Sequence, residues 1–239
     1  DNHIDSFRKT LVSTLLQIFF FALPASVILL ILRIPIVRIV FGAHSFPWEA
    51  TLLTAKTVAI LSLTIAPEAS THIFIRAFHS LHDSKTPFYI SLATIIVNIV
   101  LSYSVGIVMG WGLPGIALAI SVSNALSALL LYLLLRHRLH DLSLFPDLPK
   151  MILATVFTGL FLWVPMRILD QFVFDTTHTF PLLLLSAITT VVGLCVYFGL
   201  CFLLRLPQLD IVKSLIAKIG NWRQILASSD EVIEANPTE

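Results

Sequence analysis

FYISLATIIVNIVLSYSVGIVM, residues 88–109, carries no charged side chain over its whole length. A helix needs about 20 such residues to cross about 30 Å of hydrocarbon. A membrane-spanning strand instead alternates apolar and polar residues over about 9–11 positions. Residues 88–109 are continuously apolar, so they read as a transmembrane helix. Pro87 stands at its start, where a missing N–H costs no hydrogen bond. Working outward, further apolar runs cover residues 11–32, 51–78, 116–135, 151–169 and 180–204. The sequence therefore predicts an all-α, polytopic membrane helix bundle of about six transmembrane helices.

Composition agrees. Of 239 residues, 57% are hydrophobic and 12% are charged, and the mean hydropathy is +0.92. Soluble domains carry about 25% charged residues, and so sparse a set cannot cover a water-soluble globule of this size. The net charge of +1 says nothing about partners, and no basic stripe interleaved with aromatics points to nucleic acid. Cys195 and Cys201, six residues apart in the last run, point to different helix faces; neither a disulfide nor a zinc site is expected. His79, His82 and Asp83 approach metal-ligand spacing but fall in a wet loop, and no metal site is expected there. No GxSxG, Walker A or nucleotide fingerprint is present. The chain reads as neither an enzyme nor a cofactor protein, and any transport would be driven by a Na+ or H+ gradient, by membrane potential or by the substrate gradient.

Prolines and glycines punctuate the runs. Pro24 lies inside the first and is expected to kink it, and Pro67 interrupts the second, where it is expected to open the backbone locally. GWGLPG, residues 110–115, reads as a tight turn, and Trp48 suits a membrane interface. Basic residues divide unevenly between the two sides. Arg8, Lys9, Arg76, Lys85, Arg136, Arg138, Lys150 and Arg205 fall in one set of loops; Arg33, Arg38, Lys56 and Arg167 fall in the other. The richer set is expected to be cytoplasmic, so that the chain starts and ends inside. Beyond Pro207, Ile211, Leu215, Ile219, Trp222 and Leu226 recur at helical spacing, as expected of an amphipathic helix on the inner leaflet. The opening DNHIDSFRKT has neither initiator methionine nor signal-peptide features, and the expectation is a loop within a longer protein.

The residues with most chemistry lie in the second run. Thr64, Glu68, His72 and Arg76 are spaced four apart and form one polar stripe on a helix. An acidic residue at bilayer centre costs about 2.5–3.5 kcal/mol on insertion scales. Such a group is expected to face a water-filled cavity, a partner charge or a ligand. Glu68 would accept a coupling ion or a polar substrate group; His72 and Arg76 would donate toward an anionic headgroup. The plainer alternative is an internal network in which Glu68 pairs with His72 or a neighbouring helix, and for Arg76 snorkelling to the interface. Thr94, Asn98 and Ser102 form a weaker stripe in the third run, able either to help coordinate a cation or to bond between helices. Gly115, Ala119, Ser123 and Ser127 read as a close-packing face.

RAFHSLHDSKTP, residues 76–87, resembles the RAFYA-x-x-D-T-x-TP signature of the lipid II flippase (MurJ/MviN) family. FRKTL at 7–11 with ALPAS at 22–26, PIVRIVFGAHSF at 35–46 and GIALAISVSNALSALLLYLLLR at 115–136 resemble neighbouring elements of that family in the same order. The resemblance implies fourteen helices in two lobes, within the multidrug/oligosaccharidyl-lipid/polysaccharide exporter superfamily. The six helices here would be the ninth to fourteenth. It further implies a multi-pass protein of the bacterial cytoplasmic (inner) membrane, active in peptidoglycan biosynthesis. Its partners would be the undecaprenyl-pyrophosphate-linked precursor, membrane lipids and N-terminal helices of the same protein. Residues 1–138 would be core helices of the C-terminal lobe, 139–206 two added helices whose groove can hold the lipid tail, and 207–239 a cytoplasmic tail. Some members bind sodium through an Asn, an acidic residue one turn later and a Thr on the following helix. Asn98 matches the first, Ser102 replaces the acidic residue, and Ser121 lies beside the Thr position. His72 stands where members often carry Lys, and His44 is the one candidate cation left in the GAHSF turn. An exporter of another polysaccharide-lipid or drug, and a non-transporting membrane scaffold, are the competing readings.

Overall fold

The structure, a computed structural model, describes residues 2–41, 46–139, 147–172 and 179–209, with the backbone alone for 2, 3, 164–172, 179 and 180. His44, the side chain of Arg167 and the expected amphipathic tail lie outside what is described.

Among the described residues every regular element is helical. The first run forms α1 (Asn2–Ile31), which continues through Pro24, and a short α2 (Arg33–Phe41) follows. The second run forms not one helix but two, α3 (Trp48–Ser62) and α4 (Ile65–Ser80). Pro67 explains the position of the break. A proline lacks the N–H for the carbonyl four residues earlier, and its ring clashes with it. That carbonyl belongs to Leu63, and here the chain tightens: Leu63 N–H bonds Ile60 O at 3.2 Å and Thr64 N–H bonds Leu61 O at 3.0 Å, both three-residue turns.

The third run forms α5 (Lys85–Leu101), which widens into a π-helical segment, Ser102–Val108. Gly110 and Gly112 make the turn after it at φ of 73° and 60°, a region open mainly to glycine. The remaining runs form α6 (Leu113–Leu139), α7 (Leu148–Phe172) and α8 (Thr179–Leu203). Five of the six spans, with α3 and α4 counted together, are long and apolar enough to cross a membrane over their described residues. In α7 the described apolar stretch is the shorter Leu148–Trp163.

α1 and α6 organise the bundle. α1 packs against α3, α4, α7 and α8, and α6 against α3, α4, α5 and the π-helical segment. Residues at helical spacing on each meet in one core: Leu11, Leu15 and Phe20 of α1, Phe74 and Phe78 of α4, Leu131 and Leu135 of α6, Met151 of α7 and Tyr197 of α8. That core runs across the boundary expected at 138/139. It lies toward the end of the bundle carrying Arg8, Lys85, Arg138 and Lys150, hereafter the basic end. Lipid tails are as apolar as leucine, so helices in a bilayer associate by close packing. The contact of α6 with the π-helical segment shows this: a Cβ on Gly115 would lie 3.0 Å from both Cα and N of Gly106. α5 is the outermost helix, burying Pro87, Ile90 and Thr94 while Leu92, Ile95, Ile96 and Ile99 stay exposed.

Candidate functional site

α4 has two unlike sides. Ala66, Ser70, Phe74, Ala77 and Phe78 are buried against α1 and α6. Glu68, His72 and Arg76 are exposed. At 100° per residue the centres of the two sets stand on opposite sides of the helix. Among the described residues no hydrogen bond or ion pair reaches the side chain of Glu68, His72 or Arg76. The internal Glu68–His72 pair weighed from the sequence is not formed.

Thr64 leaves the stripe. It is buried, and its hydroxyl donates to Ser121 Oγ of α6 at 2.7 Å. Ser121 in turn donates to the Ile60 carbonyl at 3.0 Å. A two-bond chain thus pins the α3–α4 break to α6. The four-residue spacing placed Thr64 with Glu68 only for an unbroken helix, and the tightened turn at Leu63–Thr64 separates them.

The Asn98, Ser102 and Ser121 set is likewise divided. Ser102 Oγ donates to Asn98 Oδ1 at 3.4 Å, where α5 widens into the π-helical segment. Ser121 is engaged with Thr64 and Ile60. Thr94, the first residue of that stripe, is buried and returns its hydroxyl to the carbonyls of Ile90 and Ser91.

Sequence reasoning missed the part played by Asp83. Its Oδ1 accepts the backbone N–H groups of Lys85 and Thr86, each at 3.1 Å, and its Oδ2 accepts the Thr86 hydroxyl at 2.6 Å. Arg138, at the end of α6, pairs with Oδ2 at 2.8 Å. Asp83 therefore caps α5 and ties it to α6 at the basic end. The Thr86 hydroxyl, then the Thr86 amide, and behind them Arg138 and the Lys85 amide hold its carboxyl below the ordinary 3.8 against an opposing effect of burial. Asp followed three residues later by Thr, just before an apolar run, is the signal that would have found it. Arg8 adds a second tie there by donating to the Leu139 carbonyl and pairing with Asp5.

Long apolar helices, a charged face within one of them and close small-residue contacts define a polytopic α-helical membrane protein. Residues 1–198 match the family described as lipid II flippase MurJ. The chain belongs to that family. It is 27% identical over 88% of its length to a probable lipid II flippase MurJ of Rhizobium meliloti (strain 1021), covering 40% of that protein. A probable lipid II flippase MurJ of Thermotoga maritima is 32% identical over 49% of this chain and 24% of the relative. The solved structure of a lipid II flippase MurJ in an inward closed conformation superposes with a TM-score of 0.71 at 22% identity, covering 88% of this chain and 41% of that one. The chain thus spans about 40% of the length of the Rhizobium relative and of that structure.

Proposed function

We propose that this chain is the C-terminal part of a flippase that carries undecaprenyl-pyrophosphate-linked peptidoglycan precursor from the inner to the outer leaflet by alternating access. The observation that carries the reading is the Glu68–His72–Arg76 face: three polar groups on the unpacked side of a membrane-spanning helix, without partners among the described residues. Charge at that depth is sustained by water, a counter-charge or a ligand. A chamber between this chain and the N-terminal helices would supply the water, and a pyrophosphate headgroup would supply the anion for His72 and Arg76. In this arrangement the basic end is cytoplasmic and the protein sits in the bacterial inner membrane. α7 and α8 are the added pair of helices, packed onto the lobe through Met151 and Tyr197. Na+ or H+ movement drives the cycle, with Glu68 and the Asn98–Ser102 pair as the coupling-ion candidates and Ser121 holding the α3–α4 break beside them.

The test uses the full-length protein in cells depleted of their own flippase. Glu68→Gln should fold and reach the membrane normally, yet leave lipid-linked precursor in the inner leaflet. Wild-type translocation by Glu68→Gln and Arg76→Gln alike rejects the reading.

A further inference from the structure

On the side of α4 away from Glu68, His72 and Arg76 lies an apolar cleft of about 590 Å³, within the size range of small-ligand sites. Its walls come from α1, α4, α6 and α7, including Leu23, Val27, Phe74, Ala128, Tyr132 and Leu148. Leu63, Leu129, Ile152 and Val156 form its mouth and are 60%, 52%, 46% and 54% exposed. The serine and threonine hydroxyls in its wall are turned back on their own helices. Ser26 donates to the Leu23 carbonyl at 2.8 Å, Ser70 to Ala66 at 2.6 Å and Thr155 to Met151 at 2.7 Å. The wall is overwhelmingly apolar and its helices α1, α4 and α6 belong to membrane-length spans, so a hydrocarbon chain is the ligand that suits it.

The rim at the basic end differs. Tyr132 lines the cleft, and Arg136, exposed and one turn further along α6, continues its face past the cleft's end. Leu148 lines the cleft from the first turn of α7, whereas Lys150, two residues on, stands about 200° round that helix and pairs with Asp147 at 3.5 Å. Basic side chains at the membrane surface attract anionic headgroups.

We propose that this cleft holds one acyl chain of an anionic membrane phospholipid, with its headgroup phosphate at the basic end beside Arg136. The lipid is a resident of the fold and not the transported substrate. The charged face of α4 points the opposite way. Among the described residues α8 contributes none to the cleft, which separates it from the groove between the last two helices. The chain lies against Leu63 and Pro67, so it fills the space beside the helix break.

Native mass spectrometry of the purified full-length protein tests this. The wild type should keep one phosphatidylglycerol per chain through detergent purification. Ala128→Trp fills the cleft and should reduce the lipid-bound fraction at least tenfold; Ala128→Leu, a smaller intrusion that serves if the tryptophan variant does not fold, should reduce it severalfold. Arg136→Gln should lower retention of phosphatidylglycerol relative to a zwitterionic lipid. Equal phospholipid retention by wild type and the folded Ala128 variants would overturn the proposal, as would a retained species that proves to be an isoprenoid-linked precursor. Translocation is read separately, so a failed transport hypothesis leaves this outcome intact.

Discussion

Replacing Glu68 with leucine in the full-length protein decides what the open side of α4 meets. Twelve residues separate Glu68 from Ser80 at the end of α4, about 18 Å along the axis at 1.5 Å per residue. That is near the middle of a hydrocarbon core about 30 Å thick. At the centre an acidic residue costs about 2.5–3.5 kcal/mol, whereas leucine gains about 0.3–0.6 kcal/mol. Were Glu68 in contact with acyl chains, Glu68→Leu would stabilise the protein by about 3–4 kcal/mol. In an aqueous chamber the carboxylate is already hydrated, and the expected change in stability is within about 0.5 kcal/mol, as for other surface substitutions. Reversible unfolding in bicelles measures this, alongside precursor translocation in depleted cells. The chamber predicts unchanged stability with lost translocation. A gain of about 3 kcal/mol would refute it.

Three other expectations follow from particular contacts. Thr64→Val removes one bond, to Ser121; Ser121→Ala removes two but frees the Ile60 carbonyl for the Thr64 hydroxyl four residues on. Bicelle unfolding should therefore show similar losses for the two, about 0.6 kcal/mol each and no more than about 1.7, and a much larger loss for Ser121→Ala would show that Thr64 does not re-bond. Gly115→Ala forces a methyl to 3.0 Å from the Gly106 backbone and should cost about 1–3 kcal/mol by overpacking. Gly106→Ala meets one side-chain atom of Ile116 at 3.0 Å and backbone only at 3.6 and 3.7 Å, and should lower the melting temperature less. Because the folded pKa of Asp83 lies below 3.8, its contribution is present above that value and lost as pH falls through the folded one. The difference in melting temperature between wild type and Asp83→Asn should accordingly be largest near neutrality and close below pH 3.8.

The membrane spans were legible because hydrocarbon thickness imposes a length that uninterrupted apolar runs declare. The charged face was legible because Glu68, His72 and Arg76 recur every four residues on a helix with no interruption between them. Thr64 was misplaced because the break falls four residues before the proline that causes it, at the carbonyl its ring displaces. The Thr64–Ser121 bond joins residues 57 apart in sequence, a separation no local periodicity encodes. The π-helical segment was not legible either: residues 102–108 contain no proline, and the close Gly106–Gly115 approach becomes visible only once α6 is in place. Asp83 was legible in principle as a helix cap, three residues before Thr86 and just ahead of an apolar run, whereas its spacing with His79 and His82 speaks only to metal binding, which the wet loop already disfavours.

The orientation of the charged face follows from the apolar one. No attraction among the described residues holds Glu68, His72 or Arg76, so their direction is set from behind. Phe74 and Phe78 are buried in the shared core with Leu15, Phe20 and Leu131, and the Thr64–Ser121–Ile60 chain fixes the helix just above. Rotating α4 by one residue, about 100°, would lift Phe78 from a site where it is fully buried and swing the Glu68 side toward the packed helices. Burying an unpaired carboxylate costs far more than any packing such a rotation regains. Movement of α4 during a transport cycle is therefore expected as a swing about the Leu63–Thr64 break, with the same side chains facing inward throughout, and not as a roll about its own axis. Cysteine pairs show the difference: a crosslink between Thr64→Cys and Ser121→Cys closes across the pivot and should be tolerated in every state, whereas one between Phe78→Cys and Leu15→Cys ties the far end of the swinging helix to α1 and should arrest the cycle. Full activity with the second crosslink closed would show that α4 does not swing about the break.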